Sequence, residues 1–146
     1  MIAVKELNSK LLLNKCRYLF ELSSAKITAI EKEWSGKSAT PVFTVKGRYI
    51  SRGWTEWTQG FEFGSSIIQY DVTGEDFYLD YGRSHTVQDM ATHVSHIGVH
   101  DHGFNNISTY GNVLRLMKEG KIPFNEWERN FYELALKVSG AVQASR

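Results

Sequence analysis

The chain has 146 residues, of which 17 are Lys or Arg and 16 are Asp or Glu, so its formal net charge is +1. This length suits one domain, and the charge balance gives no basis for a nucleic-acid surface. A single cysteine, Cys16, excludes an internal disulfide framework and a zinc site built on several cysteines. No run of about 18 apolar residues is present, so we expect no membrane-spanning helix. The sequence shows no signal peptide, from which we expect a cytoplasmic protein, or a periplasmic one if the N-terminus is trimmed.

Hydrophobic periodicity predicts a mainly helical chain. Apolar residues recur near every 3.6 positions over residues 4–33, which predicts one long helix or two shorter ones. Cys16 falls on the apolar face of this segment, where we expect a buried side chain. Residues 41–50 favour a short extended piece, with a loop that includes a small hairpin as the alternative. Two further helical patterns cover residues 54–73 and 76–95.

The second half of the chain continues the helical rhythm. Residues 97–106 contain two glycines and no period, which predicts a loop, and Asn106 or Ser108 can cap the helix that follows. Asn125 is a good N-cap for a final helix. The apolar stripe of that helix is Trp127, Phe131, Leu134, Val138 and Val142. Because short connections make successive helices neighbours, the sequence predicts an all-α fold of about five to six helices arranged as hairpins.

Residues 52–64 concentrate aromatic and charged side chains just before a helix. They contain two tryptophans, two phenylalanines, two glutamates and an arginine. Aromatic faces bind the C–H faces of sugar rings, while carboxylates and Arg bond hydroxyl groups or a substrate carboxylate. The alternative is that these residues only pack the start of the helix. The candidate substrate-binding residues here are Arg52, Trp54, Trp57, Phe61 and Glu62.

Residues 93–104 hold four of the five histidines. Asp101, flanked by His100 and His102 and followed by Phe104, is a candidate proton-transfer group on a loop. The plainer alternative is a histidine-rich turn that caps the next helix. A third is a metal-dependent hydrolase, although the segment lacks a standard spacing such as H-E-x-x-H. Its ligands would be His93, His96, His100 and Asp101. We expect no metal and no other cofactor.

Three motifs follow one another in order: W-T-Q-G-F-E-F-G at residues 57–64, Y-D-V-T-G-E-D-F-Y-L at 70–79 and H-D-H-G-F at 100–104. Together they resemble the unsaturated glucuronyl hydrolase family and related (α/α) toroid glycosidases that act on uronic acids. The resemblance implies an (α/α)6 toroid with the active site in its central cavity. Residues 1–146 would be a single helical domain and the N-terminal portion of that toroid. Glu62 stands where the family often has Trp, and His102 where it usually has an apolar residue.

The resemblance implies a glycoside hydrolase acting on uronic-acid-containing oligosaccharides, with Asp101 as general acid/base. We expect His100 and His102 to contact the substrate and to shape the charge and orientation of Asp101. In such enzymes the acid protonates a C4=C5 vinyl ether and water adds at C5. The second acid would lie beyond residue 146, so we expect the chain alone to be inactive. The alternatives are a saturated β-glucuronidase-type hydrolase with a second carboxylate such as Glu62 or Glu56, and a non-catalytic carbohydrate-binding module.

An open half-toroid would expose the apolar stripes that its missing neighbours should cover. The partners expected from the sequence are therefore an oligosaccharide substrate and either a missing C-terminal half or a second copy of the chain.

Overall fold

The computed structural model describes residues 8–34, 40–52 and 57–146, and it shows the predicted all-α class. A π-helical segment, Gly103–Gly111, runs directly into a short α-helix. None of the described helices is both long and apolar enough to cross a membrane. The α-helices of the described ranges are α1 (Ser9–Trp34), α2 (Thr58–Thr73), α3 (Asp76–Gln88), α4 (Ala91–Val94), α5 (Asn112–Lys118) and α6 (Glu126–Ala144).

Helix α1 is one continuous helix rather than two. Asn8 begins it, because its Oδ1 accepts a hydrogen bond from the N–H of Leu11 at 2.9 Å. Its contact with α2 includes Gln69, whose Nε2 donates to the carbonyl of Phe20 at 3.0 Å. Cys16 lies one turn before Phe20 and is exposed, so the prediction that it is buried is wrong. The apolar period identified a face of α1 correctly, but the N-terminal half of that face is solvent-exposed.

A small hairpin confirms the extended piece predicted for residues 41–50. Strands β1 (Phe43–Val45) and β2 (Arg48–Ile50) pair antiparallel, with the first residue of one opposite the last of the other. The two residues between them, Lys46 and Gly47, have φ values of 50° and 76°. Positive φ at both central positions gives a tight turn whose twist matches that of the strands.

The helix predicted for residues 76–95 is broken in two. Helix α3 ends at Gln88, and a turn at Asp89 and Met90 separates it from α4. The Asp89 carboxylate bonds back to Nδ1 of His85 at 2.5 Å. Met90 is fully buried, so the break turns this side chain into the core instead of letting it continue along the helix surface.

The hydrophobic core lies where α2, α3, the π-helical segment, α5 and α6 meet. Its members are large aliphatic and aromatic side chains with little or no exposure. They are Phe63, Ile67, Leu79, Met90, Tyr110, Val113, Leu114, Leu116, Met117, Ile122, Tyr132 and Ala135.

Two glycines of α2 allow the backbone of this helix to touch the π-helical segment. A Cβ atom on Gly60 would lie 2.2 Å from the carbonyl oxygen of Phe104, and one on Gly64 would lie 2.6 Å from that of Ser108. The side chain of Asn105 closes the contact, because its Oδ1 accepts from the N–H of Gly60 at 3.0 Å. No residue with a side chain fits at these two positions without moving the backbone.

The π-helical segment corrects the predicted loop over residues 97–106. The helix begins at Gly103, so Asn106 and Ser108 lie inside it and neither caps it. The segment buries two successive asparagines, Asn105 and Asn106, each only 1% exposed. Each finds hydrogen-bond partners on another part of the fold, which is why this polar stretch is helical and inward-facing.

Helix α6 begins as predicted but faces the core with different residues. The Asn125 side chain accepts from the N–H of Glu128 at 3.1 Å, which confirms it as the N-cap. The apolar stripe lies largely on the outside, with Trp127 66% and Leu134 60% exposed. The buried residues of α6 are Tyr132, Ala135 and Ser139. The periodicity therefore found the helix but not the face that packs.

We expect Gly60→Ala to lower the free energy of unfolding by about 3 kcal/mol, because the added methyl group overlaps backbone atoms that cannot move independently. Gly140→Ala is the matched control, since an added Cβ there meets nothing within 4 Å. It should raise stability by up to about 1 kcal/mol through helix propensity. Urea denaturation followed by circular dichroism measures both. Equal stability of the two variants would contradict the backbone contact.

Candidate functional site

Three aromatic rings form an exposed shelf at the start of α2. The ring centroids of Trp57 and Phe61 are 5.6 Å apart, those of Phe61 and Phe104 are 5.3 Å apart, and those of Trp57 and Phe104 are 6.0 Å apart. Trp57 is 44% exposed, Phe61 is 42% exposed and Phe104 is 49% exposed. Exposed aromatic rings in mutual contact present a broad apolar surface to solvent.

The close approach of Gly60 explains why these rings meet. Trp57 and Phe61 are four residues apart and so share one side of α2. Phe104 belongs to the π-helical segment, whose backbone contacts Gly60 directly. The shelf therefore joins two segments that are some 40 residues apart in the sequence and that were identified separately as candidate sites.

Asp101 lies in a recess that shares Phe104 with the shelf. The recess has a volume of about 160 Å³ and is lined by His100, Asp101, Gly103 and Phe104. The Asp101 side chain is 19% exposed and its Oδ1 lies 3.6 Å from Nε2 of His100, whose side chain is 84% exposed. The structure thus places a half-buried carboxyl group and an accessible imidazole beside the aromatic shelf.

His102 is not part of the recess. It is 3% exposed, and both ring nitrogens are bonded inside the fold. Nε2 lies 2.7 Å from the carbonyl oxygen of His96, and Nδ1 lies 2.8 Å from Oγ of Ser139 on α6. The prediction that His102 touches substrate does not match this placement. Adjacent residues at the start of a helix point in different directions, and here His102 points inward while Asp101 points outward.

The side chain of His93 is also buried in the interior. Its Nε2 lies 2.6 Å from Oε1 of Gln59, in the first turn of α2. Burial, with smaller contributions from the charges of His96 and His102, lowers the pKa of His93 to about 4. The ring is therefore neutral near pH 7, and its bond to Gln59 ties α4 to the start of α2.

Glu62 lies on the other side of α2 from the shelf. It lines a cavity of about 30 Å³ together with Ile27 and Ile30 of α1 and Tyr81 of α3. Each helical residue turns about 100° around the axis, so Glu62 points roughly 200° away from Gly60 and the π-helical segment. The structure therefore does not bring Glu62 to Asp101 as a second carboxylate.

Burial raises the pKa of Glu62 to about 7, and the nearby charge of Asp89 adds to the rise. The hydroxyl groups of Thr40 and Tyr81 oppose it by hydrogen bonding. The neutral carboxyl is thus favoured in the folded protein over much of the acidic range. This group titrates at the contact between α1 and the α2–α3 pair.

The remaining predicted residues are apart from the recess or outside the described ranges. The guanidinium of Arg52 lies over the ring of Phe43, 5.0 Å from its centroid, and so is held on the hairpin. Trp54 and Glu56 lie outside the described residues.

The four predicted metal ligands do not converge. In the described ranges no group of three or more His, Cys, Asp or Glu side chains is arranged to hold a metal ion. His93 is bonded to Gln59 and His100 points to solvent, so these side chains serve different parts of the fold.

Sequence reasoning missed the polar residues that support the site. Asn105 bonds α2, and Nδ2 of Asn106 donates to Oγ of Ser139 at 3.0 Å. One signal was available for Ser139: it follows Tyr132 and Ala135 at helical spacing on the buried face of α6. A polar residue on a buried face requires a partner, but the sequence does not reveal which one.

Comparisons with known proteins give no match for this chain among family models, curated proteins or solved structures. The relationship to glucuronyl hydrolases therefore stays a prediction from the three sequence motifs.

Stability should depend on pH through Glu62. The pKa of this group is raised from 4.5 to about 7 on folding, so folding favours the protonated form. Its favourable effect is complete below about pH 4.5 and is lost as the pH rises to about 7, with a cost of roughly 3 kcal/mol above that value. We expect Glu62→Gln to remove this loss, so that the variant gains stability relative to the wild type between pH 5 and 8.

Urea midpoints measured from about pH 4.5 to 8 test this expectation. Glu75→Gln, at an exposed position, is the control and should follow the wild type. Parallel pH profiles for the wild type and Glu62→Gln would contradict it.

Proposed function

We propose that this chain carries the uronide-binding face of a glycoside hydrolase, with Asp101 as general acid/base. The observation that supports this most is the recess at Asp101, which shares Phe104 with the shelf of Trp57 and Phe61. An aromatic surface and a carboxyl group side by side suit a ligand with an apolar ring face and a reactive polar edge. A sugar ring has both.

The geometry suggests how a uronide would lie. The C–H face of one sugar ring would stack on the shelf, and its polar edge would face the recess. His100 is accessible at the mouth of the recess, and an imidazole N–H there can donate to a hydroxyl group or to the uronate carboxylate. The recess of about 160 Å³ is smaller than the roughly 300 Å³ of a typical small-molecule pocket, so it suits a single ring.

Hydration of an unsaturated uronide is the reaction that this arrangement favours. Asp101 would give its proton to C4 of the C4=C5 bond and then take one from the water that adds at C5. The resulting hemiketal would open and release the rest of the oligosaccharide. Asp101 can make both proton transfers, and the second acid that the resemblance implies beyond residue 146 would complete the site. Direct hydrolysis of a saturated glycoside instead needs two carboxyl groups that both react. Of the two candidate carboxyl groups that the structure describes, Asp101 lies at the shelf and Glu62 does not.

A non-catalytic carbohydrate-binding module is the second candidate function. The observation that favours it is the openness of the shelf, whose three rings are each more than 40% exposed. Exposed aromatic rings can bind a sugar without any chemistry, so binding and turnover have to be measured separately.

Binding should depend on the shelf. We expect Trp57→Ala and Phe104→Ala to weaken binding of an unsaturated glucuronyl disaccharide about tenfold, because a ring contact is worth roughly 1 kcal/mol or more. Titration calorimetry with the 146-residue chain measures this. Trp127→Ala removes a more exposed tryptophan, 66% against 44% for Trp57, from α6 and should leave the affinity unchanged. A comparable loss in all three variants would contradict a specific shelf.

Turnover should depend on Asp101. In the protein expressed from its complete reading frame, we expect Asp101→Asn to lower kcat on the same disaccharide by about 10² to 10⁴. Substrate binding should be retained, because the amide keeps the shape of the side chain. Asp80→Asn, on the exposed surface of α3, is the control. Binding by the wild type without turnover would favour the carbohydrate-binding module, and full activity of Asp101→Asn would exclude its role as the acid.

A further inference from the structure

We propose that Ser139 and His102 are positioning residues, which hold the loop that presents Asp101 through a one-way chain of hydrogen bonds from α6. The catalytic meaning of this arrangement rests on the proposed function. The hydrogen bonds themselves do not depend on the proposed function, because they concern only how the loop is held.

The chain of hydrogen bonds has a single direction. A carbonyl oxygen only accepts, so Nε2 of His102 must carry the hydrogen that bonds to His96 at 2.7 Å. In the neutral ring Nδ1 is then the acceptor, and the hydroxyl of Ser139 donates to it at 2.8 Å. The same hydroxyl oxygen accepts from Nδ2 of Asn106 at 3.0 Å. Each donor and acceptor along this path therefore has one role.

The bonds fix the loop at several points. The loop runs from the end of α4 to the start of the π-helical segment, through residues 95–102. Its backbone carbonyls are engaged at His96 by His102 and at Val99 by Nε2 of Gln143 on α6, at 3.2 Å. Just before the loop, the carbonyl of His93 accepts from Asn106 at 3.3 Å. Two of the donors that hold this stretch, His102 and Asn106, follow Asp101 in the chain, and the third, Gln143, comes from α6.

Asp101 lies between two held positions, the carbonyl of Val99 and the side chain of His102. Residue 102 is locked inward by Ser139, and the carbonyl of Asp101 itself accepts from the N–H of Asn105 at 3.1 Å. Because the backbone is held on both sides of Asp101, its side chain faces the recess. Ser139 is 5% exposed and His102 is 3% exposed, so neither can touch a substrate. They act through Asp101.

Ser139→Ala tests the inference, since it removes only the hydroxyl. We expect amide hydrogen exchange at residues 97–101 to become about fivefold faster, the effect of losing roughly one hydrogen bond. In nitrogen NMR spectra the Nε2–H signal of His102, slow to exchange in the wild type, should broaden or disappear. Affinity for the unsaturated glucuronyl disaccharide should fall by a similar factor.

Two further variants separate positioning from packing. Ser139→Thr keeps the hydroxyl but adds a methyl group at a buried position, so it should lose stability while retaining the His102 signal and the slow exchange of the loop. Ser145→Ala removes an exposed hydroxyl at the end of the same helix and should change neither. Loss of the signal in Ser139→Thr as well as in Ser139→Ala would attribute the effect to packing and overturn the proposal.

The outcomes also distinguish this proposal from the proposed function. If the wild type fails to bind or turn over any uronide but Ser139→Ala still loosens the loop, the function is wrong and the positioning role stands. If the wild type binds the disaccharide and Ser139→Ala leaves the loop, the His102 signal and the affinity unchanged, the positioning role is wrong and the function stands.

Discussion

The contact between the backbones of α2 and the π-helical segment is the constraint on which the rest of the site depends. At Gly60 the two backbones approach so closely that a single Cβ atom would not fit, and Asn105 fastens them with a side-chain hydrogen bond. This approach sets Phe104 against Phe61 and thereby creates the shelf. It also determines where Asp101 emerges, because this residue lies only three positions before Phe104. A high content of aromatic residues would not by itself bring Phe61 and Phe104 together.

The same contact divides α2 into two sides with different chemistry. One side carries the shelf, and the other carries Glu62 against α1 and Tyr81. A helix turns about 100° per residue, and the adjacent residues Phe61 and Glu62 have different neighbours: Phe61 contacts Trp57 and Phe104, whereas Glu62 faces α1. The described part of the aromatic and acidic segment therefore faces two ways: Trp57 and Phe61 belong to the exposed shelf, and Glu62 lies in the interior near α1.

The elements that periodicity and capping residues define could be predicted from the sequence. The surfaces against which those elements pack could not. The hairpin near residues 41–50, helix α2 and the Asn125 cap follow from local chemistry, so the sequence identified them. The apolar stripe of α6 was also visible, yet Trp127 and Leu134 point outward, since periodicity reveals an apolar face but not its neighbour. The π-helical segment was hidden because asparagines favour turns unless tertiary partners satisfy them. Asp101, Trp57 and Phe61 could be named as candidates because they lie in segments rich in aromatic, acidic and histidine residues, whereas Ser139 has no such signal.

The polar cluster around His102 restricts the loop to fewer conformations than an apolar cluster would. Apolar contacts are non-directional, so several loop conformations could bury similar area. A buried hydrogen-bonded chain has one satisfied arrangement, and each partner left unpaired in another arrangement carries a desolvation cost. The serine hydroxyl donates to the imidazole and accepts from the asparagine, so displacing one member disturbs the other two. The direction of Asp101 is therefore specified by Ser139 and Gln143 of α6, which lie about 40 positions later in the chain. His102, polar where the resembling family usually has an apolar residue, belongs for this reason to the architecture of the loop.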